Sequence, residues 1–246
     1  MQHKLGFSRK LPLAHLDFAL EHMLASGDVP SLALDTFLAA EIGGANRRRK
    51  AVAEIRELFL GTATKPLVPQ AVALAKNKSL ADSDRLAIYW SLFLVAFPFV
   101  AQAWTVTGRL AELAPKFTSH AFASRLTDIY GGGRTTLISI SEVLGMMVDW
   151  GVIVRERPGV YHVAPRRSIS KDSQRLLLMA LCLTHDPQVV FLERFSDDQS
   201  LFPFRLHLSM ADLRHAESQL HVSIQGDRQV VVEPWQAQPD TKKQIR

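Results

Sequence analysis

Hydroxyl and guanidinium side chains stand at the start of one predicted helix, residues 135–150. Arg134, Thr135 and Thr136 follow three consecutive glycines, and Ser139 comes one turn later. These groups can donate hydrogen bonds to phosphate oxygens or base edges, and the free N–H groups of a helix N-terminus attract the same anions. The glycines leave the backbone open to close approach. This pattern predicts contact with a polyanion.

A predicted β-hairpin adds further cations directly after this helix. Alternating apolar residues indicate strands over Val152–Arg157 and Val160–Val163, with a turn at Pro158-Gly159. Basic side chains on such a hairpin, with an aromatic or imidazole ring beside them, can straddle a phosphate backbone or enter the minor groove. The candidate residues are Arg155, Arg157, Tyr161 or His162, and then Arg166 and Arg167.

A second basic site precedes a helix earlier in the chain. Arg47, Arg48, Arg49 and Lys50 are consecutive, and the apolar face that follows them indicates a helix. Four cations at a helix start interact unfavourably with the helix dipole. A contact of these side chains with phosphate would offset that unfavourable interaction and would explain why they stand there. The alternative interpretation is a charge run that only faces solvent.

Three helices followed by a hairpin are the order of a winged helix-turn-helix, predicted here over residues 105–167. In such a unit the third helix enters the major groove of DNA. The alternative is a winged helix used only for protein contacts. The predicted helices are Thr105–Phe117 with Leu110, Leu113 and Ala114 inward, Ser119–Tyr130 with Phe122, Leu126 and Ile129 inward, and Thr135–Trp150 with Leu137, Ile140, Leu144 and Met147 inward.

The remaining sequence predicts a mainly α fold with small β hairpins. Residues 1–104 indicate a helical domain, in which the apolar stretch 86–108 is interrupted by Pro98 and is interpreted as a buried core helix rather than a membrane span. Residues 172–237 predict an acidic α+β module that resembles a second winged helix, and 238–246 a disordered tail. The predicted elements of the acidic module are a helix Ser173–Thr184, a buried strand Val189–Phe195, a helix Ser209–Ser218 and a hairpin His221–Gln225 with Gln229–Glu233.

Charge is divided unevenly along the chain, whose formal net charge is +5. Residues 1–171 hold 21 Lys and Arg against 14 Asp and Glu, whereas residues 172–237 hold 5 against 9. A polyanion partner is therefore expected for the first part only, and double-stranded DNA fits best. The basic N-terminus is not followed by an apolar signal segment, so we expect a cytoplasmic protein.

Catalytic and cofactor motifs are sparse. Cys182 is the only cysteine, and no metal-ligand spacing of histidines or cysteines occurs. The glycine-rich stretch 131–136 lacks the lysine of a phosphate-binding loop. We therefore expect no enzyme, cofactor or metal. The weaker alternative is a metal-dependent nuclease that uses the acids beside the predicted strand 189–195, which are Asp186, Glu193, Asp197 and Asp198.

The arrangement of residues 11–165 resembles the BrxA-type accessory proteins of BREX bacteriophage-defence systems. The resemblance rests on a short helical region, the arginine-rich start Ala45–Ala51, the long apolar helix 86–104, and the winged helix with Arg134-Thr135-Thr136 and Trp150–Ile153. It implies a non-catalytic DNA-binding role in bacterial antiviral defence. The acidic module 172–237 goes beyond that pattern, and other defence proteins are candidate partners for it.

Overall fold

The computed structural model describes residues 7–185, 188–214, 220–225 and 229–234. Within them the predicted fold class is confirmed, because helices predominate and the strands form small sheets. The first part of the chain is helical. Its elements are α1 (Leu13–Ser26), α2 (Ser31–Leu38), α3 (Ala45–Leu60), α4 (Val68–Ala75), α5 (Asp82–Ala96) and α6 (Pro98–Leu113).

The predicted break at Pro98 is confirmed. Phe97 has φ −128° and ψ 85°, and Pro98 begins α6, because a proline disfavours helical backbone in the residue before it and suits the first helical position. The axes of α5 and α6 consequently meet at 117°, and α5 is buried from Leu86 to Leu94. Among the described residues no single helix is long and apolar enough to cross a membrane.

The predicted winged helix is present, with α6 as its first helix. β1 pairs antiparallel with β3, and β3 with β2, so the sheet order is β1-β3-β2. The predicted turn at Pro158-Gly159 is confirmed, and Gly159 adopts a φ of 77° that favours glycine. The elements after α6 are β1 (Phe117–Thr118), α7 (Ser119–Tyr130), α8 (Arg134–Asp149), β2 (Ile153–Arg157) and β3 (Val160–Val163).

The C-terminal part repeats this topology. Its strands β5, β8 and β7 form a sheet in that order, which matches β1-β3-β2 position by position. A short parallel pair of β4 and β6 joins the two units. The elements are β4 (Arg167–Ser168), α9 (Lys171–Thr184), β5 (Val190–Phe191), α10 (Leu192–Phe195), a 3-10 helix (Gln199–Leu201), β6 (Phe204–Arg205), α11 (Met210–Arg214), β7 (Leu220–Gln225) and β8 (Gln229–Pro234).

Several predicted boundaries and faces are wrong. The first helix of the winged helix begins at Pro98 instead of Thr105, so the predicted domain boundary after residue 104 lies inside α6. The strand predicted over Val189–Phe195 is limited to β5, because the chain turns into α10 and buries Phe195. Four side chains predicted to face inward are exposed, since no element covers the helix ends that carry them. They are Leu113, Ala114, Ile129 and Leu137.

A cluster of aromatic rings forms the centre of the core and joins the two winged-helix units. Trp90 of α5 stacks on Trp104 of α6 with ring centroids 3.5 Å apart, and Trp150 at the end of α8 lies 6.1 Å from both. Trp90 also contacts Phe202 and Phe204 of the C-terminal unit edge-on. The same buried cluster therefore supports the winged helix and the unit that follows it.

The backbones of the two units also meet at Gly108. A Cβ placed there would lie 2.2 Å from the carbonyl oxygen of Gln199, which only the absence of a side chain avoids. The indole N–H of Trp90 donates to the next carbonyl, that of Ser200, at 2.9 Å. Helix α6 is thus fixed directly against the 3-10 helix of the C-terminal unit.

Candidate nucleic-acid interface

The start of α8 presents donors to solvent. Arg134 and Thr135 are exposed, and the cap residue Gly133 provides no side chain to accept from the first N–H groups of the helix. No acidic residue lies in this first turn. Uncapped N–H groups beside a guanidinium form a ready site for an anionic oxygen. Arg134 and Thr135 are therefore accessible, as their predicted contacts require.

Thr136 and Ser139 do not share this exposure. Thr136 is buried, and Ser139 is fully buried with its hydroxyl donating to the carbonyl oxygen of Phe7 at 2.6 Å. The predictions that these two side chains contact DNA are wrong, because they point into the protein. Their hydroxyl groups suggested an exposed face, whereas in the fold Ser139 serves an internal hydrogen bond.

The partner of Ser139 belongs to a segment that we name the strap, residues 7–11. The strap runs along α8: the N–H of Lys10 donates to Glu142 at 2.8 Å, its ammonium pairs with Asp149 at 2.7 Å, and the indole of Trp150 donates to the carbonyl of Leu11 at 2.9 Å. Phe7 and Leu11 are buried, and they anchor both ends. The strap therefore fixes α8, pairs Asp149 with a cation and gives Glu142 a backbone donor.

The strap also contacts α3. The N–H and hydroxyl of Ser8 both donate to one carboxylate oxygen of Glu54, at 2.8 and 2.7 Å. Burial is the main cause that raises the pKa of Glu54 from 4.5 to about 7, and the nearby Glu142 raises it further, while Ser8 and Arg9 act in the opposite direction. The strap thus connects the helix that carries the basic cluster to the third helix of the winged helix.

The wing carries two exposed arginines. Arg155 lies opposite Tyr161 and Arg157 opposite Val160, with an irregular register between them. Both arginines are exposed, and the described residues provide no ion-pair or hydrogen-bond partner for either. Tyr161 is buried against Phe117, with ring centroids 5.8 Å apart, so the suggested contact of its ring with DNA is wrong.

The other charges of the wing are held within the protein. Glu156 pairs with Lys116 at 2.7 Å, and this hydrogen bond is the main cause that lowers its pKa. The N–H of Ser119 donates to the carbonyl of Gly159 at 2.9 Å, which ties the turn of the wing to the start of α7. The wing is therefore short and fixed, and its cations Arg155 and Arg157 are exposed and make no ion pair or hydrogen bond among the described residues.

Arg166 and Arg167 differ from each other despite being adjacent. The guanidinium of Arg167 donates to the carbonyl oxygens of Trp150 and Gly151 at 3.0 and 2.9 Å, so it caps the end of α8. Because this capping role holds the guanidinium against the end of α8, its predicted contact with DNA is not supported. Arg166 is exposed but borders a groove of about 430 Å³ whose wall also includes Glu112, Asp197 and Asp198. This acidic surrounding disfavours a phosphate.

The basic cluster at the start of α3 does not form one surface. Arg48 donates to Asp35 at 3.1 Å and to the carbonyl of Ile42 at 3.4 Å, so its predicted role as a phosphate contact is not supported. Arg47 and Lys50 precede Glu54 by two turns and one turn, which places them on the stripe of α3 that meets the strap. Arg49 borders a separate groove with Arg56. Arg47, Arg49 and Lys50 are all exposed.

The acids considered for a nuclease do not converge. Glu193 accepts from the N–H of Val230 at 2.9 Å, and Asp198 accepts from the N–H of Ser200 at 2.8 Å, so both stabilise local backbone. Asp186 lies outside the described residues. In the described part of the chain no group of three or more His, Cys, Asp or Glu is placed to hold a metal ion.

Two features of this surface escaped the sequence reasoning. The exposed side chains of His120 and Arg125 on α7 lie in the same helix-turn-helix, and an exposed face of an amphipathic helix was the available signal. The strap had no such signal, because Lys10 and Glu142 are 132 positions apart and local periodicity carries no information on that contact.

Comparisons with protein-family models, with curated proteins and with solved structures found no match to this chain. The resemblance to BrxA-type proteins therefore stays a prediction.

Proposed function

We propose that the protein binds duplex DNA through its winged helix and does not catalyse a reaction. Arg134 and Thr135 at the start of α8 contact phosphates or base edges, and Arg155 and Arg157 of the wing contact the backbone. Arg47 and Lys50 of α3 extend the basic surface beyond the winged helix. The binding is mostly to phosphates, because these groups are suited to them, so we expect weak sequence preference.

One observation carries this proposal: the cations of the winged-helix surface divide into two groups. Lys10, Lys116 and Arg167 are each bound to acids or to backbone carbonyls of this chain. Arg134, Arg155 and Arg157 are exposed and make no ion pair or hydrogen bond among the described residues. Their unpaired state leaves them available for phosphates.

The test is the salt dependence of duplex binding, followed by fluorescence anisotropy of a labelled DNA. If Arg47, Lys50, Arg134, Arg155 and Arg157 each neutralise one phosphate, the slope of log K against log salt is roughly −4 to −5. Replacing both Arg155 and Arg157 by alanine should make that slope shallower by about two units and weaken binding to all sequences alike.

The matched control is Arg194→Ala with Arg205→Ala. Both arginines are exposed in the acidic C-terminal unit, so this variant loses the same charge from a surface that we do not expect to face DNA. An equal change of slope in both variants would reduce the effect to net charge. Absence of duplex binding by the wild-type protein at low salt would overturn the proposal.

A second candidate function, a protein scaffold, has an observation of its own. Ile138 is exposed beside Leu137 on α8, and Ile129 is exposed at the end of α7, just before the turn that leads to α8. Exposed aliphatic side chains on a third helix suit a protein surface as well as thymine methyl groups. If the wild-type protein fails to bind duplex DNA, this apolar surface becomes the leading candidate for its contacts.

We further propose, from the BrxA-type resemblance alone, that the protein is an accessory or regulatory component of a bacterial phage-defence system and acts in the cytoplasm. Its C-terminal unit is then available to other proteins of that system. Genes for a methyltransferase and a large ATPase beside its own gene are the expected finding, and a neighbourhood without either argues against this role.

A further inference from the structure

The exposed face of α8 carries two aliphatic side chains in its second turn. Leu137 is 50% exposed and Ile138 is 45% exposed. Both lie between Arg134, which is one turn earlier, and Ser141, which is about one turn later, and these two residues are also exposed. Because residues three or four apart are neighbours on a helix surface, the four side chains share one face. An aliphatic patch therefore lies within the surface for which we propose DNA contacts.

No acid competes with a phosphate in this half of the helix. Residues 134–141 contain no Asp or Glu. The acids of the same face follow later in α8 and are bound by the strap, since Glu142 accepts from the N–H of Lys10 and Asp149 pairs with the Lys10 ammonium. The aliphatic patch is thus bordered by a cation and by hydroxyl groups, which complement a nucleic acid.

The size of the patch also favours DNA over a protein as its occupant. A specific protein interface buries roughly 800 Å² on each partner, which is far more than two half-exposed side chains offer. A single base edge, in contrast, is small enough to be covered by one aliphatic side chain. In a winged helix-turn-helix the residues near the start of the third helix are the ones that reach base edges.

The major groove offers an aliphatic side chain one kind of apolar contact. Thymine carries a methyl group at C5, and the other standard base edges present only hydrogen-bonding groups there. 5-Methylcytosine carries a methyl group at the same ring position. Leu137 and Ile138 have no side-chain donor or acceptor, so they distinguish bases by this methyl group alone.

We propose that Leu137 and Ile138 contact the C5-methyl groups of pyrimidines in the major groove, so that the protein prefers duplexes that carry these groups. The inference rests on the proposed DNA binding and names the bases that α8 reads. Burial of one methyl group corresponds to about three- to fourfold in affinity. The preference is added to phosphate binding and is compatible with weak sequence preference.

The first test compares two labelled duplexes of equal length by fluorescence anisotropy. One is an alternating A·T duplex and the other has deoxyuridine in place of every thymidine, and both are closed by the same loop. The two differ in the C5-methyl groups, which every binding register meets. We expect binding to the A·T duplex to be tighter by at least about threefold. The ratio should not change with salt, because a methyl contact releases no counterions.

A second pair of duplexes separates the two sources of the methyl group. An alternating G·C duplex is compared with the same duplex that carries 5-methylcytosine in place of cytosine. We expect the methylated duplex to bind more tightly, by a similar factor. A preference confined to the A·T and A·U pair would still support the methyl contact and would assign it to thymine.

The variant Leu137→Ala with Ile138→Ala shortens both side chains and keeps good helix formers. It should lower the ratio of the A·T and A·U affinities toward one. The matched control is Leu32→Ala with Leu60→Ala, which changes two leucines of α2 and α3 that are 80% and 41% exposed. This control should keep the ratio of the wild type.

Two outcomes would overturn the inference and leave DNA binding in place. One is equal affinity of the wild-type protein for both members of each pair. The other is a preference that the Leu137 and Ile138 double variant retains in full, which would assign it to the shape of the duplex. Absence of binding to all four duplexes at low salt would overturn the proposed function as well, and it would leave the aliphatic patch to a protein partner.

Discussion

The two winged-helix units share a topology and differ in what that topology presents. In both, a helix precedes a two-residue strand, further helices follow, and a hairpin closes a three-stranded sheet of the same order. The first unit places Arg134, Arg155 and Arg157 on its surface. The second unit has an acidic sequence, and its edge strand β7 carries no Lys, Arg, Asp or Glu. A winged helix is therefore a scaffold whose function depends on surface side chains.

The helices between the first strand and the hairpin differ as well. α7 and α8 have 12 and 16 residues, and α8 is held by the strap along its length. In the second unit α10 has four residues, and the chain then passes through a 3-10 helix and β6 before α11. A long helix braced from the side suits insertion into a groove. The second unit instead uses this region to pack against α6.

The substitution with the largest expected effect tests whether the two units unfold together. Trp150→Ala removes a ring packed against Trp90, Trp104 and Phe93, and it also removes the hydrogen bond to Leu11. We expect the free energy of unfolding to fall by about 3–5 kcal/mol, as for other buried tryptophans. Urea unfolding followed by fluorescence and by far-ultraviolet circular dichroism should give coincident transitions, because one core serves both units.

The control for this variant is Val154→Ala, an exposed position on the wing where we expect a change below about 0.5 kcal/mol. Two separate unfolding transitions, only one of which is shifted by Trp150→Ala, would contradict this expectation. They would show that the two units unfold independently and that the shared aromatic cluster contributes little to the stability of the C-terminal unit.

The sequence predicted the elements better than their surroundings. Proline and glycine marked the break at Pro98 and the turn before β3 because they act through their own backbone, whatever else packs nearby. Helical periodicity identified the apolar faces of α6, α7 and α8, but it does not tell where cover ends, so the exposed Leu113, Ile129 and Leu137 were assigned to the core.

The candidate site shows the same limit more clearly. The exposed cations Arg134, Arg155 and Arg157 were identified from residue type alone, since type sets their chemistry. Whether an arginine is already occupied depends on distant partners: Arg48 meets Asp35 across a turn, and Arg167 reaches the end of α8. Those partners follow from tertiary packing, and one sequence without further information does not contain them.

A substitution at the strap should have an intermediate effect on stability. The described residues of the second unit show no counterpart of the strap. Because the pKa of Glu54 rises from 4.5 to about 7 on folding, the folded protein holds this proton more tightly than the unfolded chain. Stability from this group is therefore complete below about pH 4.5 and is lost as pH rises through 7. At pH 8 the buried carboxylate costs about 3 kcal/mol by this linkage.

Glu54→Gln removes the charge and keeps an oxygen that can accept from Ser8. We expect this variant to be more stable than the wild type by about 1–3 kcal/mol at pH 8, with the difference vanishing toward pH 5. Urea unfolding at a series of pH values measures it. Glu57→Gln, at an exposed position on the same helix, is the control. Equal pH dependence in all three proteins would mean that the strap does not shield Glu54.

The smallest expected changes in stability concern Arg166 and Arg167, which are adjacent at the border between the two units. Arg167→Ala leaves the carbonyls of Trp150 and Gly151 without their donor, so we expect a loss of about 1–2 kcal/mol in the free energy of unfolding. Arg166→Ala should cost less than about 0.5 kcal/mol, since the side chain is exposed and no hydrogen bond of it is found among the described residues.

DNA binding should be unaffected by either of these two substitutions. The guanidinium of Arg167 caps the end of α8, and Arg166 lies beside Glu112, Asp197 and Asp198, so we expect neither substitution to alter the slope of log K against log salt. A slope shallower by about one unit for Arg166→Ala would identify a phosphate contact there. The DNA would then reach past the wing to the groove between the units, and the acidic wall of that groove would set where the bound duplex ends.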